Sequence, residues 1–339
     1  MHASSAVLAD AKVTADQSGL LRFVWLEITG KCQLDCGHCY AESGPGGTHG
    51  QMTTADWRRV IEQAAGLGVG MVQFIGGEPT LHPDLPELIE HALALDVKVE
   101  VYSNLVHVSK PLWEIFRRPG VSLATSYYSD DPAEHARIVG GASRAHQRTL
   151  ANIGLARAFG IPIRAGLISF TDQQRVGPAI EQLARLGIQH TGVDHVRGVG
   201  RGAAGRDPNI NALCGQCATG KLAILPTGDA YPCVFSRWPA MHAGNVLTHS
   251  LADILHGPAL TTTRTHLQHH FDQRRQPTPG CQPVDGCGPN CSPACMPPNA
   301  HVTGCQPPCS PHDVCGPQDG CTPDCAPLGG CQPGECDPA

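Results

Sequence analysis

The sequence predicts an α/β fold built on a parallel sheet, because strand-like apolar runs alternate with helix-like segments. The strand-like runs fall at residues 23–28, 71–75, 97–101, 121–128, 161–170 and 190–196. This series of alternations favours either a curved partial barrel or a doubly wound sheet. Polar motifs follow the first three runs, and active sites of parallel barrels collect at that end of the strands. The partial barrel is therefore the predicted architecture.

Hydrophobic spacing predicts the helices between these strands. Thr53 and Asp56 form a capping box, and Trp57, Val60 and Ile61 begin an apolar stripe with helical spacing. Similar stripes predict helices over residues 85–95, 110–117, 143–159 and 178–186. After the sixth strand, two short apolar segments flank a turn of Pro, Thr, Gly and Asp at 226–229 and predict a β-hairpin.

Composition limits the classes of function. The chain has 339 residues, 17 cysteines and a formal net charge of −6, and its basic residues are scattered. This pattern predicts neither nucleic-acid binding nor attachment to an acidic membrane surface. No apolar run approaches the length of a transmembrane helix, and the first residues lack the pattern of a secretory signal. We therefore expect a cytoplasmic location, where cysteines serve as metal ligands more often than in disulfides.

The distribution of cysteines predicts the domain organisation. No cysteine occurs in residues 40–213, so one metal-binding region is separated from another. The predicted units are a flexible N-terminus (1–20), the barrel (21–205), a small cysteine-rich extension (206–298) and a disordered tail (299–339). The tail is rich in Cys, Pro and Gly and cannot form a packed core. A metal-binding or thiol-relay tail and a tethered cysteine-rich peptide substrate are alternatives.

The most informative motif directly follows the first strand. Cys32, Cys36 and Cys39 are spaced C-x3-C-x2-C in a short polar loop. Three thiolates at this spacing can hold three corners of a [4Fe–4S] cluster and leave the fourth iron open to a ligand. A zinc knuckle is the alternative, but it needs a fourth Cys or His, and His38 lies between two of the thiols.

This motif, with Tyr40 next to it, resembles the signature of the radical S-adenosylmethionine (SAM) enzymes. The resemblance implies a six-stranded partial (β/α)6 barrel. It also implies that the open iron chelates the amino and carboxyl groups of SAM. An electron from the cluster then breaks the S–C5′ bond and yields a 5′-deoxyadenosyl radical.

Two further strand ends match the same family. Gly76, Gly77, Glu78 and Pro79 match its G-G-E-P segment, which pairs with the amino group of SAM, and an ordinary turn is the alternative interpretation. Residues 103–104, Ser103 and Asn104, resemble the family's "TNG" strand end, which contacts SAM, although a leucine follows in place of the glycine. The resemblance therefore implies a SAM site at the ends of strands one to three.

Two weaker matches lie further along the chain. Residues 130–141 resemble a segment that usually reads "HDxxRG", but its aspartate and arginine are replaced here, so Arg137 and Arg144 are candidates for the missing carboxylate-binding arginine. Residues 196–202 resemble the "GRG" seen after the sixth strand in many members, and a flexible linker is the alternative.

The second cysteine region resembles the SPASM (twitch-like) extension, which carries auxiliary [4Fe–4S] clusters in peptide-modifying radical SAM enzymes. The resemblance implies one or two auxiliary clusters whose ligands come from Cys214, Cys217, Cys233, Cys281, Cys287, Cys291 and Cys295. By position, the first cluster would use Cys214, Cys217, Cys233 and Cys291. The second would use Cys281, Cys287 and Cys295 and would lack one thiol, because Thr278 stands at the first position of the pattern.

The combined resemblance covers roughly residues 22–295 and implies an enzyme that cleaves SAM and modifies a ribosomally synthesised peptide. A thioether, a carbon–carbon crosslink and an epimerised centre are open as outcomes. A sulfatase-maturing activity is disfavoured, because Val234 replaces the aspartate that follows the hairpin cysteine in those members. The implied partners are a peptide substrate, a flavodoxin- or ferredoxin-type electron donor and a separate leader-binding protein. Oxidation or decarboxylation of a sugar or tetrapyrrole is the alternative, and a non-catalytic metal-binding protein is a remote one.

Overall fold

The computed structural model of the chain describes residues 21–141 and 143–275. The chain divides into two compact units, residues 1–268 and 269–339. The sheet and the candidate site belong to the first unit. In the second unit the description covers only residues 269–275, the end of the last helix. The predicted flexible N-terminus, the predicted tail and the four cysteines from Cys281 to Cys295 lie outside the described residues.

Strands and helices alternate through the barrel, as predicted. The strands are β1 (Phe23–Thr29), β2 (Met71–Gly76), β3 (Lys98–Tyr102), β4 (Val121–Tyr127), β5 (Ile163–Ser169), β6 (Thr191–His195), β7 (Lys221–Ile224), β8 (Asp229–Tyr231) and β9 (Gly244–Asn245). The helices are α1 (Thr54–Gly66), α2 (Leu85–Ala94), α3 (Lys110–Phe116), α4 (Pro132–Val139), α5 (Arg144–Ala158), α6 (Val176–Arg185), α7 (Leu251–His256) and α8 (Pro258–Arg275).

The sheet has the strand order β6-β5-β4-β3-β2-β1-β7-β8-β9, and β1 to β6 are all parallel to their neighbours. Each of these strands thus lies beside its successor in the chain, as repeated βα units require. Side chains from all six line one cavity, so the sheet curves around it. The prediction of a partial (β/α)6 barrel is confirmed.

Local sequence signals mark the starts of several helices. The capping box of Thr53 and Asp56 is present at the start of α1. Helix α4 was not predicted from the sequence, because eight residues are too few for a clear hydrophobic period. Its start could have been found, since Asp131 accepts a hydrogen bond from the Ala133 amide at 3.1 Å and Pro132 occupies the first turn.

The predicted hairpin is present as β7 and β8, but it does not stand apart from the barrel. Strand β7 pairs in parallel with β1, in a register that sets Phe23 opposite Lys221. The hairpin therefore extends the sheet on the side of β1 that faces away from β2. This placement brings Phe235, just after β8, against the ring of Tyr40, with 5.1 Å between ring centroids.

The main core lies between the sheet and its helices. Val24, Leu26 and Ile28 of β1 are fully buried, and Trp57 of α1 and Phe116 of α3 join the same apolar cluster. Among the described residues, none of the helices combines the length and hydrophobicity that a membrane crossing requires.

Candidate active site

A cavity of about 520 Å³ runs inside the curved sheet, from the starts of the strands to their carboxyl ends. The predicted site residues that line it are Cys32, Cys36, Cys39, Tyr40, Gly76, Gly77 and Asn104. The structure thus gathers the cysteine motif and parts of both other strand-end motifs around one space. This is the carboxyl-terminal edge where parallel barrels carry their chemistry.

The cysteine loop is held from outside by Arg201, in the segment that resembles "GRG". The Arg201 guanidinium donates to the carbonyl oxygens of Cys36 (2.8 Å) and Ser43 (2.7 Å) and pairs with Asp35 at 3.1 Å. The Arg201 amide donates to the Cys39 carbonyl at 3.0 Å. These bonds fix the backbone between the ligating positions, so this segment is a clamp on the loop and not a flexible linker.

The three thiols fit an iron–sulfur cluster. Burial raises the pKa of Cys32 to about 11 and that of Cys36 to about 12, with neighbouring charges adding to the effect. Because burial disfavours the charged thiolate, these thiols need a cationic metal centre to lose their protons. A bound metal deprotonates the thiols that coordinate it. The Leu34 amide and the Asn104 amide group also reach Cys32 Sγ, at 3.4 and 3.7 Å. Within the described residues, no three Cys, His, Asp or Glu side chains form a group suited to a single metal ion.

The two glycines at the end of β2 allow the backbone there to pack directly against the backbone at the start of the cysteine loop. The Gly77 amide donates to the Thr29 carbonyl at 2.7 Å, and the Glu78 amide donates to the Lys31 carbonyl at 2.8 Å. A Cβ atom on Gly77 would overlap the Lys31 carbonyl group. These glycines therefore join the end of β2 to the start of the cysteine loop.

Glu78 is fully buried and faces the end of β3. Its carboxylate accepts hydrogen bonds from the Thr80 amide (3.1 Å), the Thr80 hydroxyl (2.7 Å), the Ser103 hydroxyl (2.7 Å) and the Asn104 amide (2.8 Å). Of the predicted SAM contacts, Glu78, Pro79 and Ser103 do not line the cavity that the described residues enclose. Direct contact of these three with SAM stays a prediction, and the structure gives Glu78 the role of positioning Asn104.

Asn104 connects this carboxylate to the cysteine loop. Its side-chain oxygen accepts from Gln33 at 2.9 Å, and its amide group points at Cys32 Sγ. Leu105, which stands where the family has glycine, adopts a positive φ of 55° and is fully buried. The glycine geometry is thus kept by a leucine, which is uncommon for an L-residue and is held in place here by core packing.

We expect Glu78→Gln to destabilise the protein by about 2 kcal/mol, since the amide NH₂ would face backbone and hydroxyl donors that the carboxylate now satisfies. SAM affinity should fall with it, because Asn104 loses its anchor. Urea unfolding and equilibrium dialysis with SAM would measure the two effects.

The matched control is Glu114→Gln, on an exposed carboxylate paired with Arg117 at 3.5 Å, which should change stability by less than about 1 kcal/mol. Equal stability of Glu78→Gln and the wild type would contradict the role given to Glu78.

A buried ion pair links β1 to the segment after β8, and no local sequence pattern predicts it. Glu27 is only 1 % exposed, and Arg237 Nη1 lies 3.0 Å from Glu27 Oε2. Burial raises the pKa of Glu27, and the Arg237 guanidinium opposes that shift. The same guanidinium lies 5.8 Å from the centroid of the Tyr40 ring. The pair therefore supports the residue that follows the cysteine motif.

Neither candidate for the replaced "HDxxRG" arginine lies in the cavity wall. Arg137 is exposed and pairs with Glu134 of its own helix at 3.7 Å, and Arg144 is exposed at the start of α5. Neither lines the cavity formed by the described residues. His135 of the same segment does line it, with a pKa lowered to about 4, mainly by burial.

Three thiols of the second cysteine region also come together. Cys217 Sγ lies 3.2 Å from Cys233 Sγ, and hydrogen bonding with Cys217, against the opposing effect of burial, lowers the pKa of Cys214 to about 5. Such a group of soft sulfur donors suits an iron–sulfur cluster. The fourth predicted ligand, Cys291, and the ligands of a second cluster lie outside the described residues.

Comparisons with known proteins agree with this geometry. Residues 26–176 match the model of the radical SAM superfamily, and residues 211–288 match that of SPASM, an iron–sulfur cluster-binding domain. The chain therefore carries a radical SAM domain followed by a SPASM domain. Both domains imply [4Fe–4S] clusters, and SAM is the ligand of the first, so the cofactors expected from the sequence are confirmed.

Curated relatives include two PqqA peptide cyclases. The one from Gluconobacter oxydans is 32 % identical over 182 residues, covering 53 % of this chain and 51 % of the relative. One from Xanthomonas campestris pv. campestris is 31 % identical over 211 residues, covering 61 % of this chain and 56 % of the relative. The chain thus spans about half the length of the curated relatives it matches.

Solved structures share the fold. Streptococcus suis SuiB bound to S-adenosylmethionine superposes with a TM-score of 0.60 at 17 % identity, covering 73 % of this chain and 68 % of SuiB. The structure of anSMEcpe with bound AdoMet gives a TM-score of 0.56 at 12 % identity, covering 71 % of this chain and 82 % of the neighbour. At these identities the likeness concerns the fold alone.

Proposed function

We propose that this chain is a radical SAM enzyme that modifies a ribosomally synthesised peptide. The observation that carries the proposal is the position of the cysteine triad, which lines one cavity together with side chains of all six parallel strands. When bound, the cluster and SAM supply radical chemistry, in the form of a 5′-deoxyadenosyl radical that takes a hydrogen atom from a substrate carbon. The cavity walls hold the substrate carbon in place and exclude water.

The chain's own residues prepare the SAM end of this cavity. Arg201 clamps the backbone of the cysteine loop, and Asn104 reaches Cys32 Sγ from the end of β3. We place SAM against Gly76, Gly77 and Tyr40, which line the cavity beside the triad. Glu78, Pro79 and Ser103 complete the proposed SAM site around Asn104.

A peptide is the proposed substrate because two kinds of comparison favour it. The curated relatives are PqqA peptide cyclases, and SuiB, which shares the fold at 16 % identity, has been solved with its precursor peptide SuiA. The proposed product is a thioether, a carbon–carbon crosslink or an epimerised residue. The proposed auxiliary ligands are Cys214, Cys217, Cys233 and Cys291 for one cluster and Cys281, Cys287 and Cys295 for a second.

The remaining parts of the proposal concern partners and location. A flavodoxin- or ferredoxin-type protein would donate the electron that cleaves SAM. A separate leader-binding protein would present the peptide. Both partners, and the enzyme itself, would be cytoplasmic, as the thiol-rich composition favours.

The test is formation of 5′-deoxyadenosine by the anaerobically reconstituted full chain with SAM and dithionite, without and with a short peptide encoded beside the gene. We expect 5′-deoxyadenosine in both reactions. In the peptide we expect the loss of two hydrogen atoms for a thioether or a crosslink, or the uptake of one deuterium from D₂O for an epimerised residue. A fully iron-loaded protein that forms none, even with peptide and a flavodoxin reducing system, would contradict the proposal.

Modification of a small molecule is the second candidate, because the cavity volume of about 520 Å³ is of small-molecule size. In the same assay, a sugar or tetrapyrrole whose pathway enzymes are encoded by neighbouring genes would then replace the peptide. A mass change in that compound, with the peptide unchanged, would favour this candidate over the first.

A further inference from the structure

At the end of the cavity opposite the cysteine triad, the wall carries polar and charged side chains that SAM chemistry does not require. Arg164 is the second residue of β5, and Ile168 of the same strand packs against the cluster of residues around Cys32. Four residues of a strand span roughly 13 Å. Both side chains line the cavity, so Arg164 lies at its far end, well separated from the triad.

Arg164 is held in one orientation by a buried carboxylate. Its Nε and Nη2 atoms donate to Glu100 Oε2 and Oε1 at 2.8 and 2.7 Å, in a bidentate pair. Glu100 is 8 % exposed and also accepts a hydrogen bond from Gln73 Nε2. Glu100, itself bonded by Gln73, therefore fixes the guanidinium, which is pre-organised for a further planar partner.

The face of the same guanidinium is fixed by an aromatic ring. Arg164 Cζ lies 5.5 Å from the centroid of Tyr102, whose hydroxyl pairs with Ser126 at 3.2 Å. Gly166 provides the space for this hydroxyl, because a Cβ there would lie 2.9 Å from it. The orientation of Arg164 is thus determined by residues of β2, β3, β4 and β5.

This arginine still has free hydrogen-bonding capacity directed away from Glu100. Its side chain lines the cavity and is 44 % exposed, and no acceptor among the described residues bonds its Nη1 atom. The edge formed by Nη1 and Nη2 keeps free N–H donors and can bind a second carboxylate in a fork geometry.

The charged side chains of the cavity wall also favour an anionic ligand. The other lining ion pair, Arg197 with Asp194 at 2.7 Å, is neutral overall, as is Arg164 with Glu100. Lys221 at the start of β7 lines the same end, and its ammonium group lies 5.8 Å from the centroid of the Trp25 ring with no carboxylate partner among the described residues. Among the Asp, Glu, Lys and Arg side chains that line the cavity, one positive charge is therefore left over, and it favours an anionic ligand there. The same charge also helps to lower the pKa of Cys214, which does not line the cavity.

We propose that the far end of the cavity is a subsite for a carboxylate of the substrate, and that Arg164 is the residue that selects it. The proposal rests on the proposed function and deepens it, since the substrate becomes a peptide with an acidic group that reaches the far end of the cavity. The carboxylate belongs either to an Asp or Glu side chain or to the peptide's C-terminus.

The test measures binding, independently of turnover. Three short probes are titrated into the cluster-loaded, SAM-bound full chain under anaerobic conditions and followed by saturation-transfer NMR. They are acetyl-Gly-Glu-Gly-amide, acetyl-Gly-Gln-Gly-amide and acetyl-Gly-Gln-Gly with a free C-terminus. We expect at least one of the two acids to bind about tenfold or more tightly than the Gln amide, as a charge-assisted bond implies. The acid that binds identifies the source of the carboxylate.

Two variants connect this preference to the named residues. Arg164→Lys keeps the positive charge but loses the bidentate geometry of the guanidinium. Lys221→Gln removes the unpaired charge without disturbing the pair of Arg164 with Glu100. Each variant should reduce the preference for the acid at least threefold. The matched control is Arg175→Lys, in the exposed bidentate pair with Asp130 at 2.7 Å, which should leave the preference unchanged.

Two outcomes would overturn the proposal. One is equal binding of all three probes to the wild-type protein. The other is an acid preference that survives in both cavity variants. Formation of 5′-deoxyadenosine by the same wild-type preparation separates this test from that of the proposed function, because cleavage of SAM without acid preference refutes the subsite alone.

Discussion

Cys36→Ala should abolish formation of 5′-deoxyadenosine. The thiol of Cys36 lines the cavity as the middle member of the triad, and without it the cluster has only two protein ligands. Loss of a direct ligand should exceed the roughly 10- to 100-fold loss that follows removal of an outer partner. Iron content, the charge-transfer absorbance of the cluster and 5′-deoxyadenosine would be measured on the same anaerobic sample.

The fold should tolerate this change. Arg201 and the Cys39 amide both bond the carbonyl oxygen of Cys36, at 2.8 and 3.2 Å, and these contacts do not involve its side chain. The matched control is Cys321→Ala, which removes a thiol from the C-terminal tail and should leave SAM cleavage intact. Wild-type levels of 5′-deoxyadenosine from Cys36→Ala would show that the triad does not hold the cluster that cleaves SAM.

Arg237→Met should lower the free energy of unfolding by about 3–5 kcal/mol, the cost of leaving a buried charge without its partner. Glu27 would remain inside the sheet, almost fully buried, with its only guanidinium partner among the described residues removed. Tyr40 would lose the cation beside its ring as well. Urea unfolding under anaerobic conditions, followed by circular dichroism, would measure the change.

Two further variants make this prediction specific. Arg58→Met breaks an ion pair of the same length, 3.0 Å, whose side chains are 46 % and 52 % exposed, and should cost less than about 1 kcal/mol. The double variant Glu27→Met, Arg237→Met should recover most of the lost stability, because no buried charge remains. A loss in Arg237→Met no greater than that in Arg58→Met would contradict the account of the buried pair.

The sequence by itself determined the order of the six barrel strands, most of the helices between them and the position of the cysteine motif. Both follow from local patterns, such as the apolar run at 23–28, the stripe from Trp57 to Ile61 and the spacing of Cys32, Cys36 and Cys39. Hydrophobic periods and ligand spacings act over a few residues, so they can be read without the fold. The hairpin at residues 221–231 was predictable for the same reason.

Only the tertiary structure decided how distant segments support the site. Glu27 and Arg237 are paired across 210 positions of sequence, and Arg201 reaches Cys36 across 165. The pairing of β7 with β1 and the bidentate contact of Arg164 with Glu100 are likewise set by the sheet. A single charged residue carries no local sign of its partner, because burial and ion pairing depend on which strands the fold brings side by side.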